Sequence, residues 1–478
     1  MKSTLTLVFT IITLSGFSQV FLPGNPISVS DTLGYNFPQI EITGDGVPGV
    51  IWTDHNNLDI YFAKHNGVDD FLTPIKLNPD GTNVQSFNWS GANIEVEGDN
   101  IYVVYHSEGF TTGHCYFVKS TDNGATWSDT VRVDNVADGH AQFPDIAAHN
   151  DTLWVVLLDH DANGLNPHYR VTRSVDGGAT WEPDVQASEL WPGESCDCCS
   201  PEIVADDDYV IVFSRNNDNN IREFKGVVSY DRGATFTGMI DVDMHAWNIM
   251  SCPSVGASAR MYGQDEVLAA YRTEYNSESH VYLHHYDLAG DSTITEVDIQ
   301  ADVSNNNTLI NYPQMDYSPS DNRLAIVWES FSSGIDVFFN ATTAGPEALI
   351  SSQAINLTDV TGTQSKPDII MENGNYHVVY MDTDGFDVKY LQVFESAAGI
   401  QAQDNFEVLV YPNPASDLIN FEFENESNEL VTISIADLQG RVVKTYKTSE
   451  NQLSVNPKLS AGTYIYQVKS TKGVLVIE

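Results

Sequence analysis

STDNGATW at Ser120–Trp127, SVDGGATW at Ser174–Trp181 and SYDRGATF at Ser229–Phe236 are three copies of one pattern, S-x-D-x-G-x-T-W, the last with Phe in place of Trp. The copies fall about fifty residues apart, and self-similarity at such a period marks a repeat architecture. Each reads as a tight hairpin. The Asp carboxylate can accept hydrogen bonds from the turn's own N–H groups, Gly supplies a positive φ, and the aromatic residue packs beneath.

Working outward from these turns, the chain from Asn36 to Glu395 repeats a Pro-led short strand, an apolar strand ending in polar residues, and a third strand. The first strands read FPQIEI (from Phe37), GANIEV (Gly91), FPDIAA (Phe143), SPEIVA (Ser200), CPSVGA (Cys252), YPQMDY (Tyr312) and KPDIIM (Lys366). The second strands read GVIWTD, IYVVYH, LWVVLLD, YVIVFSR, VLAAYR, LAIVWE and YHVVYM. Short β-branched and aromatic runs separated by Gly, Asn and Asp predict antiparallel blades and an all-β fold. Seven units are expected, with a six-membered ring the alternative. The last unit lacks a fourth strand, which Asn25–Ser30 can supply, closing the ring and removing its open edges.

The ends of the chain read differently. Lys2 and the apolar run Leu5–Leu14 predict a secretory signal peptide over residues 1–18, too short for a membrane span. The predicted blades cover residues 19–395, a linker 396–406, and a small domain 407–478. With 22 basic against 66 acidic residues, a net charge of −44, nucleic acid is excluded as a natural partner, and an anionic ligand would need a local cluster of the few arginines. No cofactor is expected.

Two resemblances follow. The S-x-D-x-G-x-T-W unit resembles the Asp-box of sialidases and related β-propellers, where it fastens the fold. The tail, with YPNP from Tyr411, DLQGR from Asp437 and AGTY from Ala461, resembles the type IX secretion C-terminal sorting domain. That resemblance implies an Ig-like β-sandwich, engagement of the type IX machinery, export across the outer membrane of a Bacteroidetes-type bacterium, and removal of the domain on export.

Topology puts the second-strand ends on the face opposite the repeated turns: Asp54 and His55, His106, Asp159 and His160, Arg215, Arg272, Glu329 and Asp382. The sialidase resemblance implies roles there. Asp54 falls where the acid/base belongs, Tyr312 where the nucleophile belongs, and Glu202 where the Tyr-activating carboxylate belongs. Arg215 and Arg272 match the second and third carboxylate-binding arginines, Arg222 supplements them, and Glu329 matches the glutamate that steadies the first. The first arginine is missing: Asn36 stands in its place, and Asn cannot replace a charged bidentate fork. Cys196, Cys198, Cys199 and Cys252 leave two readings open. One is a Cys199–Cys252 disulfide between neighbouring units. The other is a soft-metal site made by Cys196, Cys198, Cys199 and His245. Asp159–Gly164 opens like a calcium loop, but Arg170 occupies its twelfth position, so an exposed turn is expected. The leading expectation is a secreted glycan-acting propeller, in the extreme an exo-glycosidase of sialidase type. The alternatives are a non-catalytic glycan-binding propeller and a metal-dependent enzyme using the Cys/His cluster.

Overall fold

The computed structural model describes residues 20–30, 37–54, 57–87, 89–109, 112–136, 139–161, 163–275, 278–299, 311–331, 334–349, 354–383, 387–396, 408–416, 418–423, 431–436, 442–468 and 471–477. The predicted signal peptide, Asn36, His55 and all but the first residue of the predicted linker lie outside them. The chain divides into two compact units, Phe21–Ser396 and a C-terminal unit containing Ala397–Glu478.

The described residues of the first unit form seven antiparallel sheets. The first sheet is Gln39–Ile42, Pro48–Asp54, Asp59–Lys64 and Ile75–Lys76, in chain order from inside to outside. Its second strand is buried at all seven positions, because neighbouring sheets cover both faces. That double coverage is why the second strands read as continuous apolar runs instead of alternating ones.

Side chains on the innermost strands tie each sheet to the next. Gln39 accepts from the Ile94 N–H (3.1 Å), and Asn93 donates to the Pro144 carbonyl (2.5 Å). Asp145 accepts from Ile203 N–H (2.8 Å), Glu202 from Ala259 N–H (3.1 Å) and Ser258 from Met315 N–H (3.1 Å). Asp316 accepts from Met371 N–H (2.8 Å), and Asp368 returns to Ile40 N–H (2.9 Å). The cycle closes on the strand where it began: the fold is a β-propeller. In the fifth unit the first strand is Ser258–Tyr262, not CPSVGA; residues 252–257 are irregular, and Ser258 takes the fastening position.

These strands enclose a central cavity of about 330 Å³ lined by Glu41, Glu95, Asp145, Glu202, Asp316, Asp368 and a single cation, Arg260. Burial, reinforced by neighbouring carboxylates, pushes Glu95 up to about 8; burial pushes Asp145 up to about 7 and Asp368 to about 6. Burial alone would lower Arg260, but Asp316, Glu202, Glu41 and Asp368 outweigh it and raise the guanidinium.

The repeated turns fasten the outside. In each, Ser Oγ accepts from the Gly N–H, at 2.9 Å for Ser120–Gly124, 2.8 Å for Ser174–Gly178 and 2.7 Å for Ser229–Gly233. Each Asp accepts from the Thr N–H at 2.8 Å and from the Thr hydroxyl. The turn then docks on the preceding sheet. Trp127 meets Phe62 edge-on at 5.1 Å, and Trp181 meets Phe117 at 5.2 Å. Lys64, Lys119 and Arg173 donate to the carbonyls of Asn123, Gly177 and Arg232 at 3.0, 2.6 and 2.8 Å. Lys119 and Arg173 directly precede the motif serines; Val228 precedes Ser229, and the fifth sheet carries no such turn to receive a cation.

The seventh sheet, Gln364–Glu372, Asn375–Asp382 and Asp387–Ser396, is completed by N-terminal strands Val20–Pro23 and Ile27–Ser28, both paired with Asp387–Ser396. The C-terminal unit is a pair of sheets. Val408–Tyr411, Ile419–Phe423 and Gln452–Val455 form one, and Val442–Thr448, Val431–Ala436, Gly462–Val468 and Thr471–Ile477 the other. Alternate residues such as Ile419, Phe421 and Phe423, and Val431, Ile433 and Ile435, face a common core.

Candidate functional site

Register places the second-strand ends away from the repeated turns: Ile101 pairs with Ser120 beside the turn, and His106 pairs with Cys115 at the far end. On that far face the predicted residues divide.

Arg272, Tyr312 and Glu329 come together. Arg272 donates Nε–H to Ser279 Oγ (2.9 Å), which also receives Asn311 Nδ2 (2.9 Å), and its guanidinium lies 5.0 Å over the Trp247 ring. Burial lowers Arg272 to about 10 against the pull of Tyr312, Glu274 and Glu329. Burial and then Glu329 raise the Tyr312 phenol, and burial pushes Glu329 up to about 7. The Tyr312 ring meets Phe37 edge-on at 5.9 Å, over a small cavity of about 30 Å³.

Lys366 belongs to this group and was missed in the sequence, where it was noted only as the start of a strand. It occupies the pre-proline position that Tyr312 occupies one sheet earlier. A bulge between Ser365 and Asp368 holds it at φ 52°, and its N–H donates to Glu329 Oε1 (2.5 Å). The side chain is buried, its ammonium donates no hydrogen bond among the described residues, and burial lowers it while Glu329 raises it. A lysine before proline in a chain with 22 basic residues was the available signal.

The other predicted residues have different duties. Glu202 shares the wall of the small cavity with Tyr312, but its carboxylate accepts from Ala259 N–H and faces Arg260 at 3.5 Å. Arg215 is fully buried against the Phe224 ring, 3.8 Å from its centroid. It donates to the carbonyls of Arg222 (2.9 Å) and Arg272, and lies 3.7 Å from Asp243. Burial lowers it to about 9. It therefore backs Arg272 instead of standing beside it. Asp54 is buried and accepts from the Asn57 N–H (3.1 Å) and Nδ2 (2.6 Å). Asn36 lies outside the described residues.

Arg222 faces sulfur: its Nη1 is 3.1 Å from Cys196 Sγ and 3.5 Å from Asp197 Oδ1. The disulfides are Cys196–Cys199 and Cys198–Cys252, which corrects the expected Cys199–Cys252 pairing. The cause is local. Tyr169 Oη donates to the carbonyls of both Cys196 (3.1 Å) and Cys199 (2.8 Å), curling CDCC so that its ends meet and Cys198 turns toward Cys252. Cys115 is a buried free thiol, raised by burial. His245 packs on Tyr282 at 4.3 Å, faces Glu296, and stands apart from the cysteine group. The calcium-like opening is a turn held by its own contacts: Asp159 pairs with Arg170, and Asp161 accepts from Asn163, Leu165 and Asn166. On the same far face, His140 and His160 stack at 4.4 Å, and His106 lies between Phe87 and Phe143. Burial, with His140, lowers His106 to about 3 and His160 to about 4, so both are neutral imidazoles at physiological pH.

Residues 409–477 match the family described as secretion system C-terminal sorting domain. The chain is thus a β-propeller carrying a sorting domain, an exported protein, secreted or held at the cell surface. No helix among the described residues is long and apolar enough to cross a membrane. No curated protein sequence matches the chain. Among solved structures, it is similar to an intramolecular trans-sialidase from Ruminococcus gnavus (10% identity, 65% of this chain and 95% of that one, TM-score 0.46). It is also similar to Trypanosoma rangeli sialidase (14%, 93% and 84%, 0.43) and to a Penicillium chrysogenum α-L-arabinanase (10%, 78% and 98%, 0.46).

Proposed function

We propose that this exported propeller recognises an anionic glycan at the Arg272–Tyr312–Glu329–Lys366 corner. The observation that carries the reading is a pair of buried cations in a chain of net charge −44: Arg272 and Lys366 share one buried carboxylate, Glu329, while Glu274, the other carboxylate near Arg272, is only half-buried. Buried cations gain by meeting an anion in a low-dielectric setting. Lys366 supplies the positive charge that Asn36 cannot, and Glu329 steadies a lysine where the sialidase pattern has it steady an arginine. The repeated turns, read as Asp-boxes, the signal peptide and the type IX machinery complete the picture of an exported glycan-directed protein.

Titration calorimetry of the full chain with N-acetylneuraminic acid and with glucuronic acid, against neutral hexoses, tests this. Binding of an acidic sugar that weakens with salt, and weakens at least about tenfold in Lys366→Met, is expected. Equal affinity for neutral and acidic sugars, or none for any, refutes it.

One observation favours a second reading, hydrolysis of sialidase type. Glu329 sits close enough to Tyr312 to raise its phenol, so Glu329 takes the activating place assigned to Glu202, with Tyr312 as nucleophile and Asp54 as acid/base. Release of sialic acid from an aryl sialoside, abolished by Tyr312→Phe, would establish that reading. No turnover at high enzyme concentration rules it out and leaves binding.

A further inference from the structure

Arg222 is buried with its Nε unpartnered; its Nη1 points at the sulfurs of Cys196 (3.1 Å) and Cys198 (4.0 Å), and the carboxylate it also reaches, Asp197 at 3.5 Å, is exposed. A disulfide sulfur is a weak, uncharged acceptor and poor compensation for a buried guanidinium; a thiolate is a strong one. The sulfurs are also more concentrated than fastening requires. Cys198–Cys252 joins the approaches to neighbouring sheets across 54 positions, whereas Cys196–Cys199 spans only three, where the gain from closing a loop is smallest. That turn is already held by Tyr169 and by the Cys196 N–H on the Arg215 carbonyl (2.9 Å). The two disulfides touch, with Cys196 and Cys198 sulfurs 3.7 Å apart. The sulfurs of Cys196, Cys198 and Cys199 lie within 4.8 Å of one another, as do a carboxylate oxygen of Asp197 and the sulfurs of Cys198 and Cys252. Cys252 is exposed, which provides an entry path.

We propose that in the dithiol state Cys196, Cys198, Cys199 and Cys252 form a site for a thiophilic d¹⁰ cation, Cu(I) or Zn(II). Soft thiolate sets select these ions, and a centre of several thiolates remains net negative, a charge that Arg222 offsets. Each disulfide takes two electrons and two protons from a dithiol donor, which is itself oxidised to a disulfide. The metal then displaces one proton from each thiol that it binds. The inference does not depend on the glycan reading.

The test uses the full chain, reduced with a phosphine under nitrogen and desalted. Cu(I) is titrated against bicinchoninate and Zn(II) against a chromogenic chelator, with circular dichroism recorded throughout. About one ion per chain is expected in reduced protein only, with a sulfur shell at about 2.3 Å for zinc by X-ray absorption. Uptake of copper alone or of zinc alone identifies the ion, and either supports the site. The Cys196→Ser/Cys199→Ser variant, which can still close Cys198–Cys252 as it folds, is expected to fold and, once reduced, to lose the binding. Reduced, folded wild type that competes no better than oxidised protein overturns the proposal, as does a nitrogen/oxygen shell. If reduction unfolds the chain, the same ions are added during refolding: recovery of the fold with bound metal supports the site, and failure of both ions overturns it.

Discussion

Replacing Arg260 by Met tests whether one cation holds the centre of the propeller together. Its Nη1 lies 3.5 Å from Glu202 and its Nε 3.4 Å from Asp316, within a cavity that also holds Glu41, Glu95, Asp145 and Asp368. At an effective dielectric constant of about 20, a pair at that distance is worth at most about 5 kcal/mol, and breaking a buried pair costs about 3–5 kcal/mol. The side chain keeps 28% of its exposure toward the cavity, so the lower end, about 3 kcal/mol, is the working figure. The cost depends on pH. Glu95, Asp145 and Asp368 carry folded values of about 8, 7 and 6, above their ordinary 4.5 and 3.8. Between the ordinary and raised values the folded chain holds protons that the unfolded chain has released, so stability falls as pH rises through that window. At pH 5 most of these carboxyls stay protonated and Arg260 has few charges to meet; at pH 8 they are ionising and need it. For a domain of roughly 380 residues, 3 kcal/mol lowers Tm by about 4 °C at pH 8; at pH 5, where the cost falls to about 1 kcal/mol, the shift is about 1 °C. All eight tryptophans lie between Trp52 and Trp328, so their fluorescence follows the propeller alone during thermal unfolding. An equal loss at both pH values, or a larger one at pH 5, refutes the reasoning.

Three further outcomes follow from the fasteners. Gly178→Ala places a Cβ 2.5 Å from the Phe117 ring at φ 83°, and should cost about 2–4 kcal/mol in chemical denaturation. Gly46→Ala, at φ 77° with open space around it, should cost only about 1. Asp176, lowered to about 2 by Thr180 and Ser174, contributes stability that is present above its ordinary value and lost as pH falls through about 2. Asp176→Asn should therefore flatten the acid limb of a Tm–pH curve between about pH 4 and 2, and an unchanged limb would count against the turn's role. Glu202→Gln keeps an acceptor for the Ala259 N–H but gives up the charge facing Arg260, so stability should fall by about 1 kcal/mol or more at pH 8 while ligand affinity stays within about twofold by calorimetry; a large loss of affinity would return Glu202 to the site.

Much of the fold was legible because the physics that makes it is local. Ser, Asp, Gly and Thr of the repeated turn satisfy one another within five residues, and the double coverage of the second strands writes itself into unbroken apolar runs. The site was less legible because it depends on which way a strand end turns. Glu202 follows Pro201 as Gln39 follows Pro38, Asp145 follows Pro144 and Asp368 follows Pro367. A polar residue recurring at one position of most units is the mark of a fastener, and that series was visible before the structure. Nothing local announced that Arg215 would donate to the Arg272 carbonyl of the next sheet, nor that Tyr169 would curl CDCC and exchange the expected cysteine partners. Those are long-range contacts between units, invisible to periodicity.

The bulge that places Lys366 has a counterpart that separates scaffold from recognition. Phe143 also precedes a proline, at φ 52° beside a bulge between Gln142 and Asp145, and it meets His106, the last residue of the preceding sheet's second strand. Lys366 meets Glu329 at the corresponding end one sheet back. One backbone device therefore delivers an aromatic contact to His106 in one pair of sheets and, in another, a backbone N–H to the buried Glu329 carboxylate with the Lys366 charge nearby. Lys366→Phe alone leaves Glu329, whose folded value is about 7, with Arg272 as its remaining cation; a loss of about 1–2 kcal/mol is expected at pH 8 and less at pH 5, where Glu329 is protonated. Adding Glu329→His copies the His106–Phe143 pair and should return stability to within about 1 kcal/mol of wild type in denaturant titrations. Affinity for an acidic sugar should be lost in both variants. A double variant as unstable as the single one would show that the two bulges are not equivalent, and one that still bound the acidic sugar would remove Lys366 from recognition.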